Sequence, residues 1–142
     1  MKFWDSSALI VLFVSQGASS SIRNLYADDS EVLAWVLSDV EIRSALGRLE
    51  REGALSIEDA HEAMTRVESF WETVHVVTHV EAVKTRAKRL IGVHPLRAAD
   101  ALQLAAALAG CVDDTRGFEF VSLDDRLSDA ARREGFTLVP TS

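Results

Sequence analysis

Short apolar runs alternate with longer helical patterns along this chain, and this alternation restricts the folds that the chain can adopt. Strands that alternate with helices form parallel sheets whose two faces are covered by helices. The pattern therefore predicts an α/β fold with three layers, α/β/α, around a mostly parallel sheet of four or five strands. The predicted strands are Lys2 to Asp5, Val32 to Val36, Val74 to Val77, Phe118 to Ser122 and Thr137 to Val139.

Seven helices are predicted between these strands, and several have start or stop signals. Ser38 and Glu41 have the S-x-x-E spacing of a capping box, and Gly53 follows where that helix should end. Pro95 suits the first position of a helix, and Gly110 suits the exit from it. The predicted helices are about Ser7 to Phe13, Ser20 to Ala27, Asp39 to Glu52, Ile57 to Trp71, Val80 to Ile91, Leu96 to Ala109 and Arg126 to Glu134.

The composition predicts one soluble globular domain over residues 1–142. A chain of this length can bury a core of two or three layers, and 48% of its residues are hydrophobic. The single cysteine excludes an internal disulfide and favours a reducing compartment, so we expect a cytoplasmic protein without a membrane span. The formal net charge of −7 argues against a protein that coats nucleic acid through bulk positive charge.

The first residues, MKFWDSSALIVLFVSQGASSS, have the outline of a secretory leader. However, Asp5 stands between the lysine and the apolar run, and a leader should not carry an aspartate there. We therefore expect a strand that ends at Asp5, followed by a helix that packs against the sheet. Gly17 to Ser21 is expected to form a connecting loop.

Four carboxylates fall where predicted strands end or predicted helices begin. In a right-handed parallel α/β sheet, these termini meet along the edge that binds ligands. Asp5 ends the first strand, and Glu41 lies in the first turn of the helix after VLAWV. Asp100 lies in the second turn of the helix opened by Pro95, and Asp124 follows FEFVS. The sequence therefore predicts that these four carboxylates share one edge of the sheet.

Three of these carboxylates also have a purely structural interpretation. Asp5 and Asp124 could cap the helices that follow them, with Asp125 or Ser122 as competitors for the second cap. Glu41 could serve only as the third helical residue of its capping box.

Asp100 is harder to explain by structure alone. It shares a helical stripe with Leu96 and Leu104, and a carboxylate on an apolar face is costly unless it is paired or coordinated. Arg97, three residues earlier, is the candidate partner.

A cluster of carboxylates suits a divalent metal ion. Neighbouring carboxylates repel each other and raise each other's pKa values, and a divalent cation relieves that repulsion. Oxygen ligands with open water positions suit Mg²⁺ or Mn²⁺. Such a metal ion, alone or as one of two, can activate water and neutralise charge on a phosphodiester.

Several motifs, in order and spacing, resemble the PIN-domain nucleases. They are DSSAL after a short strand, an acidic residue that opens the helix after the second strand, LRAADALQLAAAL, and FVSLDDRL. The likeness runs from the first strand to the last and is strongest to the VapC-type toxins of prokaryotic toxin–antitoxin pairs. It implies a parallel sheet between helices, cleavage of RNA with Mg²⁺ or Mn²⁺, a homodimer, and inhibition by a cognate antitoxin protein.

The resemblance also implies roles for particular residues. Asp5, Glu41, Asp100 and Asp124 match the acidic catalytic and metal-binding positions, with Asp125 as the alternative to Asp124.

Other polar residues are candidates for a supporting role. Ser6 and Ser122 resemble the small hydroxyl residues that support the site. Arg97 and Arg126 are candidates for contacts with RNA phosphates, although arginines at such positions often only face solvent or form ion pairs.

Two other functions compete with an endoribonuclease. One is a receiver-like signalling module with an acidic Mg²⁺ pocket, which would need a lysine at the end of its last strand, and no lysine follows Phe136. The other is a non-catalytic PIN-like scaffold that binds RNA or a protein partner. The presence of all four carboxylates argues against the scaffold.

Overall fold

A five-stranded parallel sheet lies at the centre of the computed structural model, which describes residues 1–14 and 19–141. The strands lie in the order β3-β2-β1-β4-β5, and each neighbouring pair is parallel. This sheet confirms the predicted α/β class. The strands are β1 (Lys2–Trp4), β2 (Val32–Trp35), β3 (His75–Val77), β4 (Glu119–Val121) and β5 (Thr137–Leu138).

Seven α-helices connect or follow these strands within the described residues, and none of them is long and apolar enough to cross a membrane. The first is a single turn that continues as a 3₁₀ turn over Ile10–Leu12. The helices are α1 (Ser6–Leu9), α2 (Ser19–Asp28), α3 (Ser38–Arg51), α4 (Ile57–Trp71), α5 (Val80–Val93), α6 (Ala98–Gly110) and α7 (Asp125–Arg133).

Helices cover both faces of the sheet, and successive strand residues point to opposite faces. On β1, Phe3 belongs to the apolar cluster with α5, α6 and α7, whereas Trp4 belongs to the cluster with α1 to α4. On β4, Phe120 and Val121 divide in the same way. This alternation produces the three layers, because the side chains of a strand alternate with a period of two.

The order of strands reverses beside β1. The chain passes from β1 outward through β2 to β3, and then returns to place β4 on the other side of β1. The backbone N–H of Asp5 donates to the carbonyl oxygen of Val121 at 3.1 Å across this junction. In open α/β sheets, ligands bind at the carboxyl ends of the strands where the order reverses. Asp5 directly follows β1, and Asp124 lies three residues after the end of β4.

The predicted capping box of α3 is wrong. Ser38 lies within the helix, and the N-cap residue, Leu37, makes no side-chain capping bond. The Ser38 hydroxyl is fully buried and accepts a hydrogen bond from Gln103 Nε2 at 3.0 Å. The side chain of Glu41 also turns toward Gln103. Tertiary contacts between α3 and α6 therefore replace the local cap.

The predicted start of α6 is also wrong. The helix begins at Ala98 with Arg97 as its N-cap, and Pro95 lies in the preceding segment. The N–H of Leu96 donates to the carbonyl oxygen of His94 at 2.8 Å and forms a short turn. The helix begins only after this turn. Asp100 consequently lies in the first turn of α6 rather than the second.

The predicted loop from Gly17 to Ser21 has a different outcome at its two ends. Ser19 to Ser21 form the start of α2, so this part of the prediction is wrong. Gly17 and Ala18 lie outside the described residues.

Candidate active site

An open cavity of about 800 Å³ lies at the carboxyl end of β1. All four predicted carboxylates line it, although they come from four distant parts of the chain. The structure therefore brings together the side chains that the sequence predicted to share one edge. The lining residues are Asp5, Ser6, Ser7, Ile10, Val40, Glu41, Ser44, Ala45, Arg48, Asp100, Gln103 and Asp124.

Asp5 is the most buried of the four carboxylates, with 3% of its surface exposed. The Ser7 hydroxyl donates to Asp5 Oδ1 at 2.8 Å, and the Ala8 N–H donates to the same oxygen at 3.2 Å. The Ser122 hydroxyl donates to Asp5 Oδ2 at 3.0 Å. Asp5 therefore caps α1 and lines the cavity at the same time, so its structural and functional interpretations do not exclude each other.

The environment of Asp5 favours its neutral form when no cation is bound. Burial raises the pKa of Asp5 to about 7, because a charged carboxylate loses its hydration there. Hydrogen bonds from Ser7, Ser122 and the Ala8 N–H oppose this rise in pKa, and repulsion from Asp124 adds to it. A cation in the cavity would supply the compensation that the burial of Asp5 lacks.

Two serines join the ends of β1 and β4. Besides donating to Asp5, the Ser7 hydroxyl accepts a hydrogen bond from the Leu123 N–H at 2.9 Å. The Ser122 hydroxyl likewise accepts one from the Asp124 N–H at 3.0 Å. These paired contacts fix the carboxylate of Asp5 relative to the chain segment that carries Asp124.

Glu41 is held from two sides. Gln103 Nε2 donates to its Oε1 at 2.7 Å, and the Ser6 hydroxyl donates to its Oε2 at 3.3 Å. Burial raises the pKa of Glu41, the two hydrogen bonds oppose that rise, and repulsion from Asp100 adds to it. Ser6 and Ser122 thus contact two of the carboxylates, and their supporting role in catalysis stays a prediction.

Asp100 is half-buried, and its charge is only partly compensated. Burial raises its pKa and repulsion from Asp124 adds to the rise, whereas attraction to Arg97 and Arg126 opposes it. Among the described residues, neither arginine forms a hydrogen bond or a contact ion pair with this carboxylate. The predicted pairing of Asp100 with Arg97 is therefore a longer-range attraction.

The structure separates Asp124 from Asp125. Asp124 is the N-cap of α7, where its Oδ1 accepts a hydrogen bond from the Leu127 N–H at 3.0 Å, and it lines the cavity. Asp125 is the first residue of α7 and lines two neighbouring depressions instead. This geometry favours Asp124 as the fourth carboxylate of the cavity.

Sequence reasoning missed two residues, Ser7 and Gln103, that position carboxylates. Gln103 is 2% exposed and bridges Ser38 and Glu41 with a single amide nitrogen. Its signal in the sequence was an isolated amide in an apolar helix, three residues after Asp100. Ser7 gave no signal that separated it from the other serines near the N-terminus.

The donor set of the cavity fits a divalent ion that keeps part of its water shell. Three of its four carboxyl groups have raised pKa values, mainly because burial disfavours their charged forms and also because neighbouring carboxylates repel each other. Within residues 1–14 and 19–141, no three His, Cys, Asp or Glu side chains are already gathered around one ion position. Mg²⁺ is usually bound through one or two carboxylates and several waters, so it does not need such a closed cage.

Comparison with known proteins gives the family. A model of the PIN domain matches residues 2–133. Ribonuclease VapC45 of Mycobacterium tuberculosis (strain CDC 1551 / Oshkosh) is 31% identical over 140 residues, which are 99% of this chain and 95% of the relative. Ribonuclease VapC49 of Mycobacterium tuberculosis (strain ATCC 25618 / H37Rv) gives the same values. The chain belongs to the PIN-domain family, within the group of the VapC ribonucleases.

Solved structures with low sequence identity share the fold. A toxin–antitoxin complex from Klebsiella pneumoniae contains a chain that is 13% identical, with a TM-score of 0.70, coverage of 100% of this chain and 98% of that one. The structure of FitAB bound to an IR36 DNA fragment contains a chain that is 12% identical, with a TM-score of 0.67 and coverage of 98% and 94%.

PIN-domain VapC ribonucleases generally depend on divalent metal ions.

Proposed function

We propose that this chain is a metal-dependent endoribonuclease and the toxin of a type II toxin–antitoxin pair. The observation that carries the proposal is the convergence of Asp5, Glu41, Asp100 and Asp124 on one cavity at the junction of β1 and β4. Membership of the VapC ribonucleases supports RNA as the substrate class.

The four carboxylates are the proposed ligands of Mg²⁺ or Mn²⁺. When bound, such an ion lowers the pKa of a coordinated water and offsets charge that develops on a phosphodiester. The protein holds the carboxylates in place beforehand. Ser7 and Ser122 fix both oxygens of Asp5, and Gln103 and Ser6 fix both oxygens of Glu41.

The proposal extends to the assembly and location of the protein. Residues 1–142 would act as one PIN domain in the cytoplasm, as a homodimer that a cognate antitoxin protein inhibits. Two solved structures of similar fold are described as a toxin–antitoxin complex and as FitAB on DNA, which supports a protein partner for this chain.

RNA cleavage by purified variants tests the proposal. The wild-type protein should cut cellular RNA with Mn²⁺ and lose this activity with a chelator. Asp5→Asn and Asp100→Asn should each abolish cleavage, because each removes a proposed metal ligand. Asp28→Asn, the same substitution at an exposed position outside the cavity, should cleave like wild type.

Circular dichroism would establish that the variants are folded. Undiminished cleavage by folded Asp5→Asn and Asp100→Asn would contradict the site assignment. No cleavage by the wild-type protein with any divalent ion would favour the non-catalytic scaffold.

A further inference from the structure

A second depression, of about 530 Å³, opens beside the carboxylate cavity. Asp100 and Asp124 line both spaces, so the two are neighbours across these side chains. Arg97, the N-cap of α6, and Arg126, in the first turn of α7, also line the depression. The depression therefore places two guanidinium groups next to the proposed catalytic carboxylates.

Most basic side chains of this protein already have partners. The sequence contains fifteen lysines and arginines. Ten of them form a hydrogen bond or a contact ion pair within the described residues, with either a carboxylate or a backbone carbonyl oxygen. The ten are Lys2, Arg23, Arg43, Arg66, Lys84, Arg86, Arg89, Arg116, Arg132 and Arg133.

The five basic residues without such a contact in the described structure are not scattered evenly. Arg97 and Arg126 line the depression, and Arg48 of α3 lines the carboxylate cavity. Arg51 lies one turn further along α3, in the next depression. Only Lys88, on α5, lines none of these three spaces. Three of these five side chains, those of Arg48, Arg97 and Arg126, therefore line spaces that the proposed catalytic carboxylates also line.

This distribution has an electrostatic consequence. A protein with a net charge of −7 and four carboxylates in its cavity repels a polyanion such as RNA. Guanidinium groups that are not tied to protein carboxylates can contact phosphate oxygens, often through two parallel hydrogen bonds. Arg97 and Arg126 are attracted to Asp100 but do not touch it, so their donors remain open to another anion.

We infer that Arg97 and Arg126 form a phosphate-binding subsite for the RNA backbone, next to the phosphodiester that is cut. Arg48 contacts the backbone on the other side of the carboxylates. The inference rests on the proposed ribonuclease function and adds the path of the strand, from α3 across the carboxylates to the N-termini of α6 and α7.

The salt dependence of RNA binding tests this subsite. All variants carry Asp5→Asn so that the RNA stays intact, and the probe is a fluorescein-labelled single-stranded RNA. Each neutralised phosphate contact contributes a slope of about −0.7 to log K against log salt for single strands. Arg97→Gln and Arg126→Gln should each weaken binding by about tenfold, since each removes charged hydrogen bonds, and each should reduce the slope by about 0.7. Lys88→Gln is the matched control.

A second measurement separates a direct contact from a general loss of positive charge. Single phosphates of the oligonucleotide are replaced in turn by neutral methylphosphonates. One replacement should weaken binding to the Asp5→Asn protein and have no effect once Arg97 and Arg126 are also changed to Gln. An equal methylphosphonate penalty in both backgrounds would overturn the subsite, as would slopes equal to that of Lys88→Gln.

A failure of the arginine subsite can be distinguished from a failure of the proposed ribonuclease function. If the wild-type protein cleaves RNA but these arginine variants bind RNA like Lys88→Gln, the subsite is wrong and the ribonuclease function stands. If the wild-type protein does not cleave RNA, the proposed function itself fails.

Discussion

Asp5 combines three structural properties. It caps a helix, it is almost completely buried, and it lines a cavity with three other acidic side chains. Capping alone would not require burial, because a helix N-cap can face solvent. The hydrogen bonds from Ser7 and Ser122 hold both of its oxygens without neutralising its charge. A cation bound in the cavity, as proposed, would compensate the charge of this buried carboxylate.

Stability of the metal-free protein should report the raised pKa of Asp5. The folded protein keeps the proton up to about pH 7, whereas the unfolded chain releases it near the ordinary aspartate pKa of 3.8. Folding therefore takes up a proton between these two values, and this group's contribution to stability falls as pH rises through the window and is level above it. Asp5→Asn lacks this loss. Because the window spans about three pKa units, the variant should be more stable than wild type above pH 7 by on the order of 4 kcal/mol.

Urea unfolding with a chelator, at a series of pH values from the acidic side of the window to above it, measures this difference. The gap between Asp5→Asn and wild type should widen as pH rises. Parallel curves of stability against pH for the two proteins would show that the pKa of Asp5 is not raised in the folded protein. Asp28→Asn serves as the control, because its side chain is exposed.

At the scale of secondary-structure elements, the side-chain amide of Gln103 joins α6 to α3 through hydrogen bonds. Gln103 Nε2 donates to Ser38 on the first turn of α3 and to Glu41 one turn later. Both acceptors lie near the end of β2, so the amide sets how the Glu41 carboxylate faces Asp100. Gln103 is a positioning residue, since it acts on the site through Glu41.

Replacing Gln103 by leucine should loosen this arrangement without unfolding the protein. Mutation of a residue that orients a metal ligand typically weakens metal affinity by about 10- to 100-fold. We expect Gln103→Leu to weaken Mn²⁺ binding, measured by isothermal titration calorimetry, by about tenfold or more. An unchanged Mn²⁺ affinity in a variant that keeps its secondary structure would mean that Gln103 only fills space.

Helix ends show which local features the sequence could reveal. Gly53 was predicted to end α3, and it has the left-handed φ of +79° that is common after the last turn of a helix. The N–H of Gly53 donates to the carbonyl oxygen of Glu50, and the N–H of Ala54 donates to that of Leu49. Helix α6 ends with the same bonds, but Val112 takes the left-handed position with a φ of 52°. The left-handed conformation is unfavourable for a β-branched residue, so it could not be predicted for Val112 from the sequence.

The same distinction applies to helix starts. The Ser56 hydroxyl caps α4 by accepting from the Asp59 N–H at 3.0 Å, as its local spacing allows. Ser38 has the same kind of spacing to Glu41, yet its hydroxyl is used by Gln103, which lies far along the chain. A tertiary hydrogen bond cannot be inferred from the local spacing.

For the whole molecule, the sheet edge was predictable because it follows from chain order. Strands that alternate with helices must return their carboxyl ends to one edge, so Asp5, Glu41, Asp100 and Asp124 could be placed together from the sequence alone. The strand order could not be obtained in this way. The reversal beside β1 became visible only in the sheet, where β4 pairs with β1 rather than with β3.

The comparisons and the geometry support the same account of the molecule. PIN-domain membership covers residues 2–133, which contain all four carboxylates. The least exposed of them lies where the strand order reverses. Arg48, Arg97 and Arg126, which have no partner contact among the described residues, line the cavity or the depression beside it. We propose that these carboxylates share a divalent metal ion.

Anomalous diffraction from crystals grown with Mn²⁺, at a pH above that of the Asp5 transition, tests this claim most directly. We expect an anomalous peak in the cavity, in contact with Asp5 and at least one of Glu41, Asp100 and Asp124. The same crystals of Asp5→Asn should lose the peak or show it at greatly reduced height. If the wild-type cavity holds no manganese, or if manganese binds only at another place, these carboxylates do not form the proposed metal site.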